Sequence, residues 1–142
     1  MKKILVPREI GSEEELGRGV FSSRHAERAE RSRAPHHIFL ERPGITEISV
    51  DRLSIAPTEE AVAIAEVAAI ARNASFYGWA SVSADEAGRN ARRVTTSPLS
   101  SNPYHADIVL PGATAEDREE QKRHAQELAD ASHWRARPDF QQ

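Results

Sequence analysis

The stretch Glu47–Leu53, with the sequence EISVDRL, alternates apolar and polar side chains. Such alternation is typical of a half-buried β-strand. Shortly after it, Thr58 precedes Glu59 and Glu60 at the start of an alanine-rich run that reaches Asn73. A threonine N-cap and acidic residues in the first turn favour a helix there. Because apolar residues occupy most of its circumference, this helix is predicted to be the central core helix, covered on more than one side.

Further strands and helices are predicted on both sides of this unit. Residues 38–40 are expected to form a β-hairpin with 47–53 across the turn residues 42–44. If the strands at 47–53 and 76–82 run parallel in one sheet, the helix between them is a right-handed crossover. The other predicted elements are a short helix capped by Ser83, an edge strand at 93–96, a strand at 104–110 and a helix from Ala115 to Ala131 capped by Thr114.

The fold class predicted from these elements is α+β, in a single domain. A small mixed sheet of four or five strands is expected to pack against the alanine-rich helix and the C-terminal helix. At 142 residues the chain is long enough for one hydrophobic core and too short for a second. The predicted organisation is a polar, Arg-rich N-terminal arm at 1–35, the α+β domain at 36–133 and a loose C-terminal tail at 134–142.

The composition narrows the classes of function. With 22 acidic and 19 basic residues the formal net charge is −3, so no overall field draws the protein to nucleic acid or to an anionic membrane. The absence of cysteine excludes disulfides, thiolate metal sites and a cysteine nucleophile. The apolar run before Pro7 is too short for an export signal, so a cytoplasmic location is expected.

His105 and Asp107 are the candidate catalytic residues. In the strand at 104–110 they lie on the same face, where a carboxylate can orient a histidine, share a metal with it or stabilise its charged form. The alternative is a strand with one solvated face. Zinc would need further ligands, and His36, His37 and Asp51 have no diagnostic spacing, so no metal and no cofactor is assigned.

Arg52, Tyr77 and Trp79 are the candidate ligand-binding residues. Alternation places Arg52 on the apolar side of its strand, where a guanidinium needs a carboxylate partner or an anionic ligand. If the strand ends at Asp51, Arg52 instead turns outward. Tyr77 and Trp79 share a strand face and could stack a nucleotide base, although aromatic residues so placed are more often part of a core.

An arginine stripe is the candidate contact surface for a polyanion or an acidic partner. Residues Ser12 and Glu15, and then Ser22 or Ser23, are predicted to begin two short helices. In the second helix Arg24, Arg28 and Arg31 fall on one side, which favours an external anion. The alternative is a solvated face, because glutamates alternate with these arginines.

Four segments carry a resemblance to known sequences. They are ISVDR at 48–52, YGWA at 77–80, NPYHADI at 102–108 and AQELA at 125–129. In their order the chain resembles a group of small bacterial proteins with no established activity, over about residues 21–131. The resemblance implies a bacterial origin and one intact domain, and it brings no catalytic assignment.

Two functions follow from these observations. The first is a cytoplasmic interaction module that binds a protein partner through the arginine arm, the Trp134 tail or a sheet edge, favoured by the lack of any specific catalytic motif. The second is a small enzyme acting on a phosphate-bearing, nucleotide or nucleic-acid substrate, such as a nuclease or a toxin-like transferase. In it His105 is the general acid/base, Arg52 holds the anion and Asp107 orients the histidine. Convergence of these three residues in one pocket would favour the enzyme.

Overall fold

The computed structural model describes residues 6–139, which form one open six-stranded sheet with helices on both faces. The strands are β1 (Glu15–Val20), β2 (Glu47–Arg52), β3 (Gly78–Ser83), β4 (Arg93–Thr96), β5 (His105–Val109) and β6 (His133–Ala136). The α-helices are α1 (Ser23–Arg31), α2 (Thr58–Ala71), α3 (Ala84–Ala87) and α4 (Arg118–Ala131), and 3-10 turns lie at His36–Phe39 and Gly112–Glu116. The strand order is β4-β5-β2-β1-β3-β6.

The α+β class is confirmed, but the sheet differs from the prediction. It has six strands instead of four or five, and every neighbouring pair is antiparallel, so it is not mixed. The strands β2 and β3 do run in the same direction, since each is antiparallel to β1, which lies between them. The helix α2 connects them.

The two missed strands change the predicted organisation of the chain. The range 1–35 is not a peripheral arm, because β1 lies inside the sheet and α1 buries Ala26 and Ala29. The C-terminal tail is not loose where β6 pairs with β3. Both strands escaped prediction because glycine and charged residues, as in ELGRGV and HWRA, hide the alternation of a strand. Residues 1–5, on which the export-signal argument rests, and 140–142 lie outside the described residues.

Helix caps were predicted with mixed success. The Ser22 and Ser83 side chains accept hydrogen bonds from backbone N–H groups in the first turns of α1 and α3, as predicted. Ser12 begins no helix, and residues 36–39 form a 3-10 turn instead of a hairpin strand. The last helix is capped by Asp117, whose carboxylate accepts from a backbone N–H, and not by Thr114, because a 3-10 turn occupies 112–116.

One face of the sheet carries the larger hydrophobic core. Leu16, Val50, Val82 and Ile108 from the four central strands are at most 2% exposed. The helix α4 contributes Leu128 to the same cluster. Ala26 and Ala29 of α1 and Ala84 and Ala87 of α3 belong to it as well, so these three helices pack on this face.

The opposite face is covered only in part, by α2. Ala61 and Ala65 of this helix pack with Leu53, Trp79 and Tyr104 in a second, smaller cluster. The far side of α2 was expected to be covered as well, but Ile70 is 76% exposed, and Val67 on the same helix is 68% exposed. No helix in the described part of the chain is long and apolar enough to cross a bilayer.

A buried polar network ties α4 to the strand end at Arg92. The Arg92 guanidinium donates to the carbonyl oxygens of Glu86 and Ala87, and its Nη1 lies 2.9 Å from His124 Nδ1. Because a guanidinium can only donate, His124 accepts through Nδ1 and is neutral. Burial, followed by the charge of Arg92, lowers the pKa of His124 below its usual 6.5.

This network predicts a loss of stability in mild acid. The unfolded chain takes up the His124 proton before the folded chain does, so the free energy of unfolding should fall as pH drops below about 6.5. His124→Asn keeps an oxygen that accepts from Arg92 and should weaken this dependence. Urea unfolding at about pH 7.5 and about pH 5.5 measures it. An equally steep dependence in the variant would contradict the assignment, with exposed His133→Asn as the control.

Candidate functional site

A cleft of about 870 Å³ opens between α2 and the sheet, where β1 and β2 separate. The two strands pair at Leu16↔Arg52 and Gly17↔Asp51, after which their ladder ends. The Arg18 side chain lies in the resulting gap. It donates to the carbonyl oxygens of Ser49 (2.9 Å) and Ile38 (3.0 Å), so it fixes the separation of the strands.

The two walls of the cleft differ in chemistry. The α2 wall is apolar and includes Ala63, Ile64, Val67 and Ala68. The sheet wall is polar; its side chains include Ser49, Asp51, Asn102 and His105. A mainly apolar cleft with a few convergent polar groups is the usual form of a small-molecule site.

Asp51 and His105 stand side by side on the sheet wall. They are directly opposite in the antiparallel pair of β2 and β5. The neighbouring pair exchanges a backbone hydrogen bond, from the Arg52 N–H to the Tyr104 carbonyl at 3.0 Å. Asp51 and His105 therefore form a non-hydrogen-bonded pair, the arrangement in which opposing side chains are closest.

The loop before β5 sets the tautomer of His105. Its Nδ1 lies 3.0 Å from the Ser97 carbonyl oxygen and 2.7 Å from the Ser97 hydroxyl. Since the carbonyl can only accept, Nδ1 carries a proton, and in the neutral ring Nε2 therefore keeps the lone pair. Within the described residues Nε2 has no hydrogen-bond partner. Because His105 lines the cleft, this nitrogen is available to a bound molecule.

Asn102 holds Asp51 in place. Its side-chain oxygen accepts from the Tyr104 backbone N–H (3.1 Å), which directs its Nδ2 to Asp51 Oδ1 at 2.7 Å. Burial raises the pKa of Asp51 above its ordinary 3.8, although the Asn102 bond and the nearby His105 act in the opposite direction. The indole N–H of Trp79, 2% exposed, lacks a hydrogen-bond partner among the described residues and lies close enough to affect the same carboxyl.

Replacing Asp51 with asparagine is expected to raise the thermal unfolding temperature at neutral pH. The raised pKa means that the folded state is penalised by the charged carboxylate, and the neutral amide removes this penalty while still accepting from Asn102. The gain should disappear as pH falls below 3.8, where the carboxyl is protonated in both states. Calorimetry of both proteins across this range checks the sign. A destabilised variant at neutral pH would contradict it.

The predicted group of Arg52, His105 and Asp107 does not converge. Arg52 is 1% exposed on the other face of the sheet, where its Nε lies 2.6 Å from Glu14 Oε1. It also donates to the carbonyl oxygens of Pro7 and Glu9. Its partner is therefore an internal carboxylate, one of the alternatives for this residue, and it lines no part of the cleft.

Asp107 shares the strand face of His105 but is not the carboxylate beside it. Asp107 lies opposite Ser49 in β2 and Thr95 in β4, and it does not line the cleft. The residue that sequence reasoning placed with the histidine is thus replaced by Asp51. The sequence suggests Asp51 only as an available metal ligand, because the pairing of its strand with the strand at 104–110 is not recorded in the spacing.

Tyr77 and Trp79 do not form a stacking platform. Trp79 is buried under α2 and meets Phe76 edge-on at 4.7 Å, whereas Tyr77 is 37% exposed before β3 begins. Gly78 between them has φ 149°, which breaks the strand alternation assumed in the prediction. A Cβ there would lie 2.4 Å from the Arg135 carbonyl oxygen, so only glycine permits the close approach of β6.

The arginine stripe is present on α1 but is partly neutralised. Arg24, Arg28 and Arg31 are exposed, and Arg31 pairs with Glu27 at 3.4 Å, as expected from the i, i+4 spacing. The stripe thus resembles a solvated face. Among the described residues, no cluster of three or more histidines and carboxylates has the geometry to hold a metal ion.

Comparison of the chain with protein families, curated proteins and solved structures gives no significant match. The functional interpretation therefore depends on the residues themselves.

Sequence reasoning missed Ser97, Asn102 and the role of Asp51. Asn102 could have been found from the Asn-Pro pair, which favours a turn in which the asparagine side chain bonds the backbone two residues later. Asp51 alternates with the buried residues Val50 and Arg52, so its exposure to the opposite face was predictable. Its contact with His105 depends on the pairing of β2 with β5, which no local pattern encodes.

Proposed function

We propose that the protein is a small enzyme that performs general acid–base chemistry on a small organic molecule bound between α2 and the sheet. The observation that carries this proposal is the free Nε2 of His105, which is held beside Asp51 on the polar wall of an otherwise apolar cleft. His105 serves as the base, because its Nδ1 proton is committed to Ser97. Asp51 serves as the acid, because it lies directly opposite His105 and burial raises its pKa.

The proposal keeps His105 in its predicted role and changes the residues around it. Arg52 binds Glu14 and is not available to a phosphate-bearing substrate. The apolar α2 wall instead suits a substrate with a hydrocarbon or aromatic body. A histidine and a carboxyl group held side by side in a cleft can act together as a base and an acid on one bound substrate.

A general test uses nitrobenzisoxazole, an uncharged aromatic probe that reacts in one step. A base removes its ring C–H proton, the electron pair of that bond forms a nitrile, and the N–O bond breaks to release a coloured phenolate. The protein is expected to accelerate this reaction above the same concentration of free imidazole and to show saturation. A rate equal to that of free imidazole would overturn the proposal.

Two tryptophan variants of α2 show whether the reaction occurs in the cleft. Ala68 lines the cleft, so Ala68→Trp should fill it and remove most of the acceleration. Ile70 lies on the outer side of the same helix and is 76% exposed, so Ile70→Trp should leave the rate unchanged. Equal effects of the two substitutions would place the reaction elsewhere on the surface.

A second candidate is a module that binds a protein partner. It is favoured by the exposure of Ile70 and Val67 on one helix. Single exposed apolar residues are common on protein surfaces, whereas neighbouring ones are typical of a protein contact. Trp134 does not supply the contact as a free tail, since it packs against the core from β6.

A photo-crosslinking side chain at position 70 tests this candidate in cells that make the protein. One discrete adduct is expected, and excess untagged protein should compete it away. The control is the same side chain at Glu119, which is exposed on α4. Identical adducts from both positions would contradict a specific apolar contact on α2.

A further inference from the structure

The charges that line the cleft are divided between its two ends. Its carboxylates are Asp51 and Glu60, and Glu60 lies in the first turn of α2. Arg72, at the other end of α2, lines the cleft together with His25 and His37. Arg72 follows Glu60 by twelve positions along α2 and its C-cap, which is about 18 Å along the axis.

The cationic end of the cleft, formed by Arg72, His25 and His37, has hydrogen-bond donors that a ligand can use. Arg72 lies over the Phe21 ring at 4.6 Å, and within the described residues only its Nη1 is bonded, to the Ala68 carbonyl. The rings of His25 and His37 stack at 5.9 Å. Arg18 also lines the cleft, but its guanidinium is already bonded to two carbonyls and to Glu41, so it contributes little charge to a ligand.

Positive charge is concentrated around this end without a facing carboxylate from the cleft walls. The pKa of His25 is lowered by burial first, and then by the charges of His37, Arg28 and Arg24. An anion placed there would relieve this repulsion. Between this end and His105, the α2 wall presents Ile64, Val67 and Ala68.

Resting on the proposed function, we infer that the cleft takes an amphipathic carboxylate, with its anionic group at Arg72, His25 and His37 and its apolar body along α2 toward His105 and Asp51. Gly17 of β1 pairs with Asp51, and the strand extends about 10 Å from Gly17 to Val20. We take this length as the approximate distance between the acid–base pair and the anionic subsite. The reacting carbon is thus several bonds away from the carboxylate. A planar guanidinium and two imidazoles suit a carboxylate as donors.

Binding of decanoate to the full chain, measured by calorimetry below its micelle concentration, tests the inference. Decanoate is expected to bind at least about tenfold more tightly than uncharged decanol, because the anion adds charge-assisted hydrogen bonds. It should also bind more tightly than acetate, which lacks the apolar body. Arg72→Met should reduce decanoate to the affinity of decanol, while Arg31→Met, on the exposed side of α1, should change nothing.

The outcomes separate this inference from the acid–base proposal. Equal binding of decanoate and decanol, or tighter binding of decylammonium, would overturn the anionic subsite. His105→Asn should still bind decanoate more tightly than decanol, because the anionic subsite lies at the other end of the cleft. Tight decanoate binding without proton abstraction from nitrobenzisoxazole would retain the subsite and overturn the catalytic role.

Discussion

Arg52→Ala is expected to lower the free energy of unfolding by about 3–5 kcal/mol. The guanidinium is 1% exposed and makes two contacts with Glu14, whose side chain is 7% exposed. Removing it leaves a buried carboxylate without its counter-charge. It also releases the carbonyls of Pro7 and Glu9, so the segment before β1 loses its attachment to the sheet. Urea unfolding followed by circular dichroism measures the change.

Two controls distinguish a buried pair from a general effect of arginine removal. The double variant Glu14→Leu and Arg52→Met should recover most of the loss, because a hydrophobic pair of similar size carries no desolvated charge. Arg31→Ala removes an exposed pair with Glu27 and should cost less than about 1 kcal/mol. A loss of that small size for Arg52→Ala would mean that Glu14 is solvated and the pair is not structural.

His105→Asn is expected to slow proton abstraction from nitrobenzisoxazole by about 100- to 10,000-fold. The asparagine amide can place an N–H where Nδ1 donates to Ser97, so the loop keeps its bond while the base at Nε2 is lost. The fold should therefore survive, and the unfolding midpoint should change little. The initial rate of phenolate release measures the effect.

Asp107→Asn is the matched control for this substitution. Asp107 lies two residues along the same strand face, outside the cleft lining, so its replacement should leave the rate within about twofold of the original. If Asp107→Asn lowers the rate as much as His105→Asn does, the acid–base pair is His105 and Asp107, as the alternation of the strand predicts. Asp51 is then not the acid.

Local patterns accounted for the elements that carry strong periodicity. The alternation of EISVDRL predicted β2, and the apolar run after Thr58 predicted α2. Burial of such elements requires apolar residues at positions that can be identified in the sequence. β1 was missed because its centre is Gly17-Arg18-Gly19. Gly17 is required by close approach, since a Cβ there would lie 2.5 Å from a Leu53 side-chain carbon.

The candidate site was predicted only in its central residue. His105 was identified from its strand and its chemistry, and it lines the cleft. Arg52 was assigned to ligand binding, but its partner is Glu14. An arginine on the apolar face of a strand has the same sequence pattern whether it pairs with an internal carboxylate or with a ligand. Asp51 and Asn102 reach the histidine through strand pairing and a loop bond, and both contacts are long-range features that propensity and spacing do not record.

The central claim is that His105 presents a free, unprotonated Nε2 to the cleft. Long-range proton–nitrogen correlation NMR of the histidine rings at slightly alkaline pH tests it most directly, with His105 assigned from the spectrum of His105→Asn. The account predicts a protonated Nδ1 and a bare Nε2 for His105, and a shift of the Nε2 resonance when decanoate is added. A protonated Nε2, or an Nε2 resonance that ignores both decanoate and the Ala68→Trp substitution, would contradict it.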